Sequence, residues 1–107
     1  MNALLAAIAE KRGTPCFVYF AGTLGERAEA LRAAFGGKVR LCFPIRANPH
    51  PAVLRRLGGG VDFFDAASAG ELKAARAAGL AGSRLFLSGP GPRTADFAAV
   101  VGSRGAT

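Results

Sequence analysis

Three places in this 107-residue chain gather polar side chains beside otherwise apolar runs: Arg46 with Asn48, Asp65 with Ser68, and Ser88 with Gly89 and Gly91. Each stands at the end of a run of strand type. In parallel α/β folds that is where loops and helix N-termini converge and ligands bind. A guanidinium there can neutralise a carboxylate or hold an oxyanion through paired N–H donors. Side chains alternate along a strand, so Cys42, Pro44 and Arg46 are expected on one face, and Val61, Phe63 and Asp65 on another. If both faces point inward, Arg46 meets Asp65. An ion pair and an anion site remain alternatives for Arg46 at this level. The turn Gly89-Pro90-Gly91-Pro92 either lets backbone approach a phosphate or merely joins a strand to a helix. Ser68 followed by Glu71 has capping-box spacing, which accounts for both residues without a ligand.

The elements that must position these residues follow from periodicity. Leu4, Leu5 and Ile8 at helical spacing, with Gly13 after them, predict a leading helix over residues 1–12. Residues 13–107 then form one partial domain with no internal linker. Cys16-Phe17-Val18-Tyr19-Phe20 reads as a strand. Thr23 with Glu26 predicts a capped helix that buries Leu24, Ala28, Leu31, Ala34 and Phe35 and stops at Gly36-Gly37. Val39 to Ile45 is a strand, and Pro49 and Pro51 open a short helix through Leu57 that ends at Gly58-Gly59-Gly60. A strand over Val61 to Ala66 leads to a helix over Ala69 to Ala78 capped by Ser68. The strand Arg84 to Ser88 precedes a last helix capped by Thr94. Strand, loop and helix recurring three times imply right-handed crossovers and a parallel sheet, either doubly wound or barrel. No GxGxxG follows the strand ending at Ile45, where Arg46-Ala47-Asn48-Pro49 stands, and this lowers the expectation of a dinucleotide site.

Composition narrows the function. Basic residues outnumber acidic ones by 14 to 7, yet they are scattered, Trp is absent and Tyr19 is the lone tyrosine. A nucleic-acid platform with stacking aromatics is therefore not expected. The apolar stretch Ala3 to Ala9 is far shorter than the roughly 20 residues of a membrane span, and its flanking charges do not fit a signal peptide. A cytoplasmic protein with no membrane partner is expected. Cys16 and Cys42 are expected as small buried apolar residues in a reducing compartment, not as metal ligands.

Four ordered blocks resemble one family. Leu41-Cys42-Phe43-Pro44-Ile45-Arg46-Ala47-Asn48-Pro49 is similar to the "Y-A-hydrophobic-K-A-N-P" segment of the fold-type-III pyridoxal-phosphate-dependent decarboxylases, the diaminopimelate and ornithine decarboxylase family. Gly13-Thr14-Pro15-Cys16-Phe17-Val18-Tyr19 resembles its "G-T-P-hydrophobic-Y-V-Y" lead-in. Val61 to Leu72 resembles its "F-D-V-A-S-x-G-E-L" block, and Ser88-Gly89-Pro90-Gly91 its "G-P-G-K" turn. The likeness covers about residues 13 to 97, and four blocks in order are far more specific than one.

The resemblance implies an α/β fold: the N-terminal portion, about three βα units, of an incomplete (βα)8 TIM-type barrel that a C-terminal β domain would follow. It further implies pyridoxal 5'-phosphate as cofactor and α-decarboxylation of a basic or dicarboxylic amino acid, a small-molecule partner. Intact relatives would form head-to-tail homodimers with shared active sites. Carried over residue by residue, Arg46 stands at the Schiff-base lysine position, and Asp65 and Glu71 are the active-site carboxylates. Asn48, Ser68, Ser88 and Gly89 line the cofactor site. The remaining machinery of the family would lie beyond Thr107. Arg46, Pro44 and Pro92 depart from the family pattern, and a guanidinium that stays protonated is no amine nucleophile toward an aldehyde. An inactive form of such an enzyme is therefore expected. A non-catalytic phosphate- or pyridoxal-phosphate-binding module and an inert fragment with an open sheet edge are the alternatives.

Overall fold

The structure is a computed structural model that describes residues 1–89 and 93–101. Its centre is strand β2, Phe63–Ala66, flanked by β1 (Cys42–Pro44) and β3 (Leu85–Leu87) in a parallel sheet of order β1-β2-β3. Phe43 pairs with Phe64 and Pro44 with Asp65 across the first ladder, and Phe64 pairs with Leu85 and Asp65 with Phe86 across the second. Paired residues of parallel strands share a face, so two rows result. One holds Phe43, Phe64, Ala66, Leu85 and Leu87, and the other holds Cys42, Pro44, Phe63, Asp65 and Phe86.

Helices α3 (Pro51–Leu57) and α4 (Ala69–Ala77) cover only the first row. Val53, Leu54 and Leu57 from α3, with Leu72 and Ala75 from α4, close a core around Phe64 and Ala66, both fully buried, and Phe43 meets Phe64 edge-on at 6.2 Å. On the bare row Phe63 and Phe86 pack edge to face at 5.0 Å, and Phe86 stays 37% exposed. A doubly wound sheet carries helices on both faces, whereas an opening barrel carries them on its outer face alone. The arrangement is an unclosed segment of the (βα)8 type.

Local signals explain most boundaries. Pro51 starts α3 at a position whose N–H needs no partner, and His50 caps it, its Nδ1 accepting from the Ala52 N–H at 3.2 Å. Helix α2 (Ala21–Ala34) packs on α3 through Arg56, whose Nε donates to the Ala21 carbonyl at 2.8 Å. Gly25 permits that approach, because a Cβ there would lie 2.5 Å from Arg56 Nη2. At the amino ends of the strands Arg84 holds the Gly58–Gly60 turn, donating to the carbonyls of Gly58 (2.8 Å), Asp62 (3.0 Å) and Val61. Asp62 accepts there from the Leu41 N–H at 2.7 Å and from Arg32 at 3.2 Å.

Several expectations need correction. Cys16–Phe20 joins no sheet, and Phe17 and Tyr19 are 92% and 58% exposed. The β-type residues are present, but among the described residues no strand lies beside them to supply a ladder. Helix α2 begins at Ala21, so Thr23 lies inside it and caps nothing. Of its expected stripe only Ala28 is buried, while Leu31 and Phe35 are about half exposed. Both cysteines are exposed, not buried. The strands are shorter than their apolar runs, with Ile45–Ala47 turning into a 3-10 helix. Thr94 is the first helical residue of α5 (Thr94–Val101), and Asp96, not Thr94, accepts the Arg93 N–H. The Pro90-Gly91-Pro92 part of the glycine turn lies outside the described residues.

The leading helix α1 (Asn2–Arg12) forms as expected and ends at Gly13 with φ 83°, but none of its residues is buried. The Cα radius of gyration is 16.1 Å, against roughly 13 Å for a compact chain of about this length. Stability therefore rests on the β2 core. Phe64→Ala should cost about 3–5 kcal/mol, and urea unfolding followed by circular dichroism should show either loss of the cooperative transition or a midpoint shift of that size. Tyr19→Ala, on an exposed side chain, should leave the midpoint unchanged.

Candidate functional site

The carboxyl ends of the three strands converge on Asp65. Arg46, on the 3-10 turn after β1, donates from Nη1 to Asp65 Oδ2 at 2.9 Å, and the Ser88 hydroxyl, just past β3, donates to Asp65 Oδ1. The alternation argument thus brings Arg46 and Asp65 together even though the backbone has left the strand at Ile45. The hydroxyl contact from Ser88 was not anticipated. Its only sequence signal is that Ser88, like Asp65, ends an apolar run.

Around this trio opens a cleft of about 550 Å3 whose walls are Cys42, Pro44, Phe86 and Leu87, the bare row of the sheet and its rim. The Asp65 side chain is 18% exposed and that of Arg46 55%, so the carboxylate is the more buried partner and the guanidinium the one that faces solvent. Burial pushes the Asp65 carboxyl up, but the Ser88 hydroxyl and the Arg46 guanidinium together leave it below the ordinary carboxylate range. The hydrogen bond to Asp65 raises Arg46 against the opposing effect of burial, and Glu71 adds to the rise. Although Cys42 is exposed overall, partial desolvation of its thiol at the cleft wall, aided by Asp65, pushes that thiol up.

The other expected residues stand beside this trio without joining it. Ser68 caps α4, its Oγ accepting from the Glu71 N–H at 3.2 Å, while Glu71 Oε2 accepts from the Ala67 N–H at 2.7 Å. These two bonds satisfy the Ala67 and Glu71 N–H groups at the helix terminus nearest the cleft. Asn48 turns the chain toward α3, its Oδ1 accepting from the His50 N–H at 3.1 Å. Gly89 takes φ 95°, a conformation that favours glycine, while a Cβ on it would make only an ordinary contact with Ala67 Cβ at 3.5 Å.

One residue went unrecognised in the sequence. Asp96, 2% exposed on α5, accepts from the Ala69 N–H at 2.8 Å and from the Arg93 N–H at 2.6 Å, closing the start of α4 from the following unit. Its position three residues after Arg93 is the acidic half of a capping box, the one sequence signal it offers. Among the described residues no group of His, Cys, Asp and Glu could hold a metal ion, and no helix is long and apolar enough to cross a membrane.

Comparison with known proteins follows the same lines. The family described as "Pyridoxal-dependent decarboxylase, pyridoxal binding domain" matches residues 21–104. The chain is 37% identical over 93 residues to a diaminopimelate decarboxylase of Deinococcus radiodurans, covering 87% of this chain and 24% of that protein. It is 40% identical over 96 residues to one of Zymomonas mobilis, covering 86% and 23%. It thus spans about a quarter of the length of these relatives. Among solved structures, the lysine/ornithine decarboxylase of Vibrio vulnificus complexed with putrescine superposes with a TM-score of 0.87 at 25% identity, over 95% of this chain and 28% of that one. A protein of Aquifex aeolicus superposes with a TM-score of 0.82 at 34% identity, over 92% and 25%.

The electrostatics make a pH prediction. Asp62, Asp65 and Asp96 are all held below the ordinary carboxylate value: Asp62 foremost by the Leu41 N–H, Asp65 by Ser88 and Arg46 against burial, and Asp96 foremost by the Arg93 and Ala69 N–H groups. In acid the unfolded chain binds more protons than the folded one, so the stabilisation is complete above about pH 4 and is lost as pH falls through the depressed values. Thermal melts should give a flat Tm from about pH 7 to 5 and a steep fall below about 4. Asp96→Asn should lower the Tm at neutral pH and make the acid fall shallower.

Proposed function

Because the chain belongs to the pyridoxal-binding domain family of the pyridoxal-dependent decarboxylases, we propose that it is the barrel-opening segment of an amino-acid decarboxylase type of protein in which Arg46 takes the cofactor-attaching position and blocks covalent chemistry. Residues 13–107 are the barrel segment and residues 1–12 a leading helix. In this family pyridoxal phosphate supplies an electron sink for the loss of an α-carboxylate. The reaction class of the intact lineage would be α-decarboxylation of a basic or dicarboxylic amino acid, carried out by a cytoplasmic homodimer.

The observation that carries the proposal is the Arg46 Nη1 to Asp65 Oδ2 contact at 2.9 Å. A cofactor aldehyde needs an unprotonated amine, and Asp65 stabilises the charged form of the group that stands there instead. The residues present therefore do not fit a covalently attached pyridoxal group. Asp65 keeps the role of a fixed carboxylate, oriented by Ser88, and Glu71 adds negative charge to the same rim.

A second reading has one observation in its favour. The guanidinium of Arg46 is half exposed toward the cleft and spends a single donor on Asp65, which leaves a planar fork for a phosphate-bearing ligand held without a covalent bond. Asp65 and Glu71 oppose a doubly charged anion at the same place, so this reading ranks second.

Both readings meet one experiment. The chain is incubated with pyridoxal phosphate, reduced with borohydride, digested and mapped, beside Arg46→Lys. The expected result is no phosphopyridoxyl group on the peptide around position 46 in the natural sequence and a new one in Arg46→Lys. An adduct within the strand-end region of the natural sequence, or carbon dioxide released from an amino acid, would refute the proposal. Calorimetric binding of pyridoxal phosphate that disappears in Arg46→Ala would promote the second reading.

A further inference from the structure

Ser88 enters the strand-end cleft from a backbone that is held on both sides. Its N–H donates to the Ala66 carbonyl at 2.9 Å, which extends the ladder between β2 and β3 past Leu87. Gly89 follows with φ 95°, so the chain turns away directly after the serine. Side chains alternate along β3, and Ser88 therefore falls on the row of Phe86, which is paired with Asp65. From that place a short side chain is enough, and the Ser88 hydroxyl donates to Asp65 Oδ1.

Arg46 reaches the same carboxylate from the opposite strand and with a different kind of support. Its backbone lies on the 3-10 turn after β1, its side chain is 55% exposed, and it bonds Oδ2. The two donors thus come from separate strand ends and meet separate oxygens. Turning the Asp65 side chain to another rotamer would break the Ser88 bond whatever stands at position 46, because hydrogen bonds weaken steeply once their geometry is lost. The charge of the carboxyl follows the same division. Burial pushes it up, and the largest single contribution that brings it down is the Ser88 hydroxyl bond, followed by the bond and the charge of Arg46.

We infer that Ser88 is a positioning residue, which keeps Oδ2 of Asp65 aimed at position 46 independently of the side chain that stands there. The aim itself follows from the sheet, while its use, a carboxylate turned toward the cofactor-attaching position, rests on the reading of Arg46 proposed above. Position 46 is exchangeable as a result. Arginine and lysine alike meet a carboxylate that is already turned toward them, with its rotamer set by a neighbouring residue on a fixed backbone. The role requires a hydroxyl donor and not bulk. Threonine should therefore replace Ser88, and valine, which has the shape of threonine without its hydroxyl, should not.

The test reads the Asp65 rotamer directly. Three-bond scalar couplings to the Asp65 β protons, measured by NMR on the whole chain at neutral pH, report its χ1. The natural sequence and Arg46→Ala should both give the couplings of one staggered rotamer. Arg46→Ala combined with Ser88→Val or Ser88→Ala should give rotamer-averaged couplings, and Arg46→Ala combined with Ser88→Thr should restore the single rotamer. Averaged couplings in Arg46→Ala alone would overturn the inference. So would a single rotamer in Arg46→Ala with Ser88→Val, which would mean that packing or water holds the carboxylate without the hydroxyl. Should a double variant lose its dispersed amide spectrum, Arg46→Ala alone decides. Averaging there would leave the reading of position 46 intact, whereas a borohydride-trapped adduct at that position in the natural sequence would remove that reading and leave the rotamer result standing.

Discussion

Burial of one face of β2 is the constraint on which the molecule depends. Phe64 and Ala66 are sealed by α3 and α4, and both helices are too short to persist without that contact, at 7 and 9 residues. The opposite row, with Phe63 and Asp65, is left to solvent, and a sheet so covered presents a bare inner surface beside its strand ends. Stabilising and chemical roles consequently separate along the strands. Arg32, Asp62 and Arg84 knit the amino ends through main-chain carbonyls and the Leu41 N–H, while Arg46, Asp65 and Ser88 gather at the carboxyl ends.

The strand-end trio holds its carboxylate without relying on any one donor. Asp65 has two independent donors, one on each oxygen, and Ser88 does not depend on what stands at position 46. The carboxylate is thus fixed before any ligand arrives, a form of preorganisation. On the proposed reading, a planar, permanently charged group at position 46 satisfies the same carboxylate as an ammonium would, while being no nucleophile toward an aldehyde.

Much of this was legible in the residues, and the misses share a cause. Helix α3 runs from Pro51 to Leu57 as read, because proline and glycine act locally, and the Ser68–Glu71 cap formed for the same reason. The meeting of Arg46 and Asp65 followed from strand alternation and parallel pairing. Thr23, Cys16–Phe20 and Asp96 misled or escaped because their outcome is set by what lies opposite them. Helix α2 starts early where Arg56 holds the Ala21 carbonyl, the 16–20 run has no strand beside it among the described residues, and Asp96 finds Ala69 across 27 positions. Local preference decides an element only when no distant partner outbids it.

That last bond has a temporal meaning. The Ala69 amide and the Asp96 carboxylate that receives it are 27 residues apart, and a nascent polypeptide lengthens by about 5–20 residues each second. For roughly one to five seconds after Ala69 is polymerised, its amide has only water to bond with, and α4 has Ser68 and Glu71 alone to hold its first turn. The unit that α4 begins is thus completed by the one translated after it.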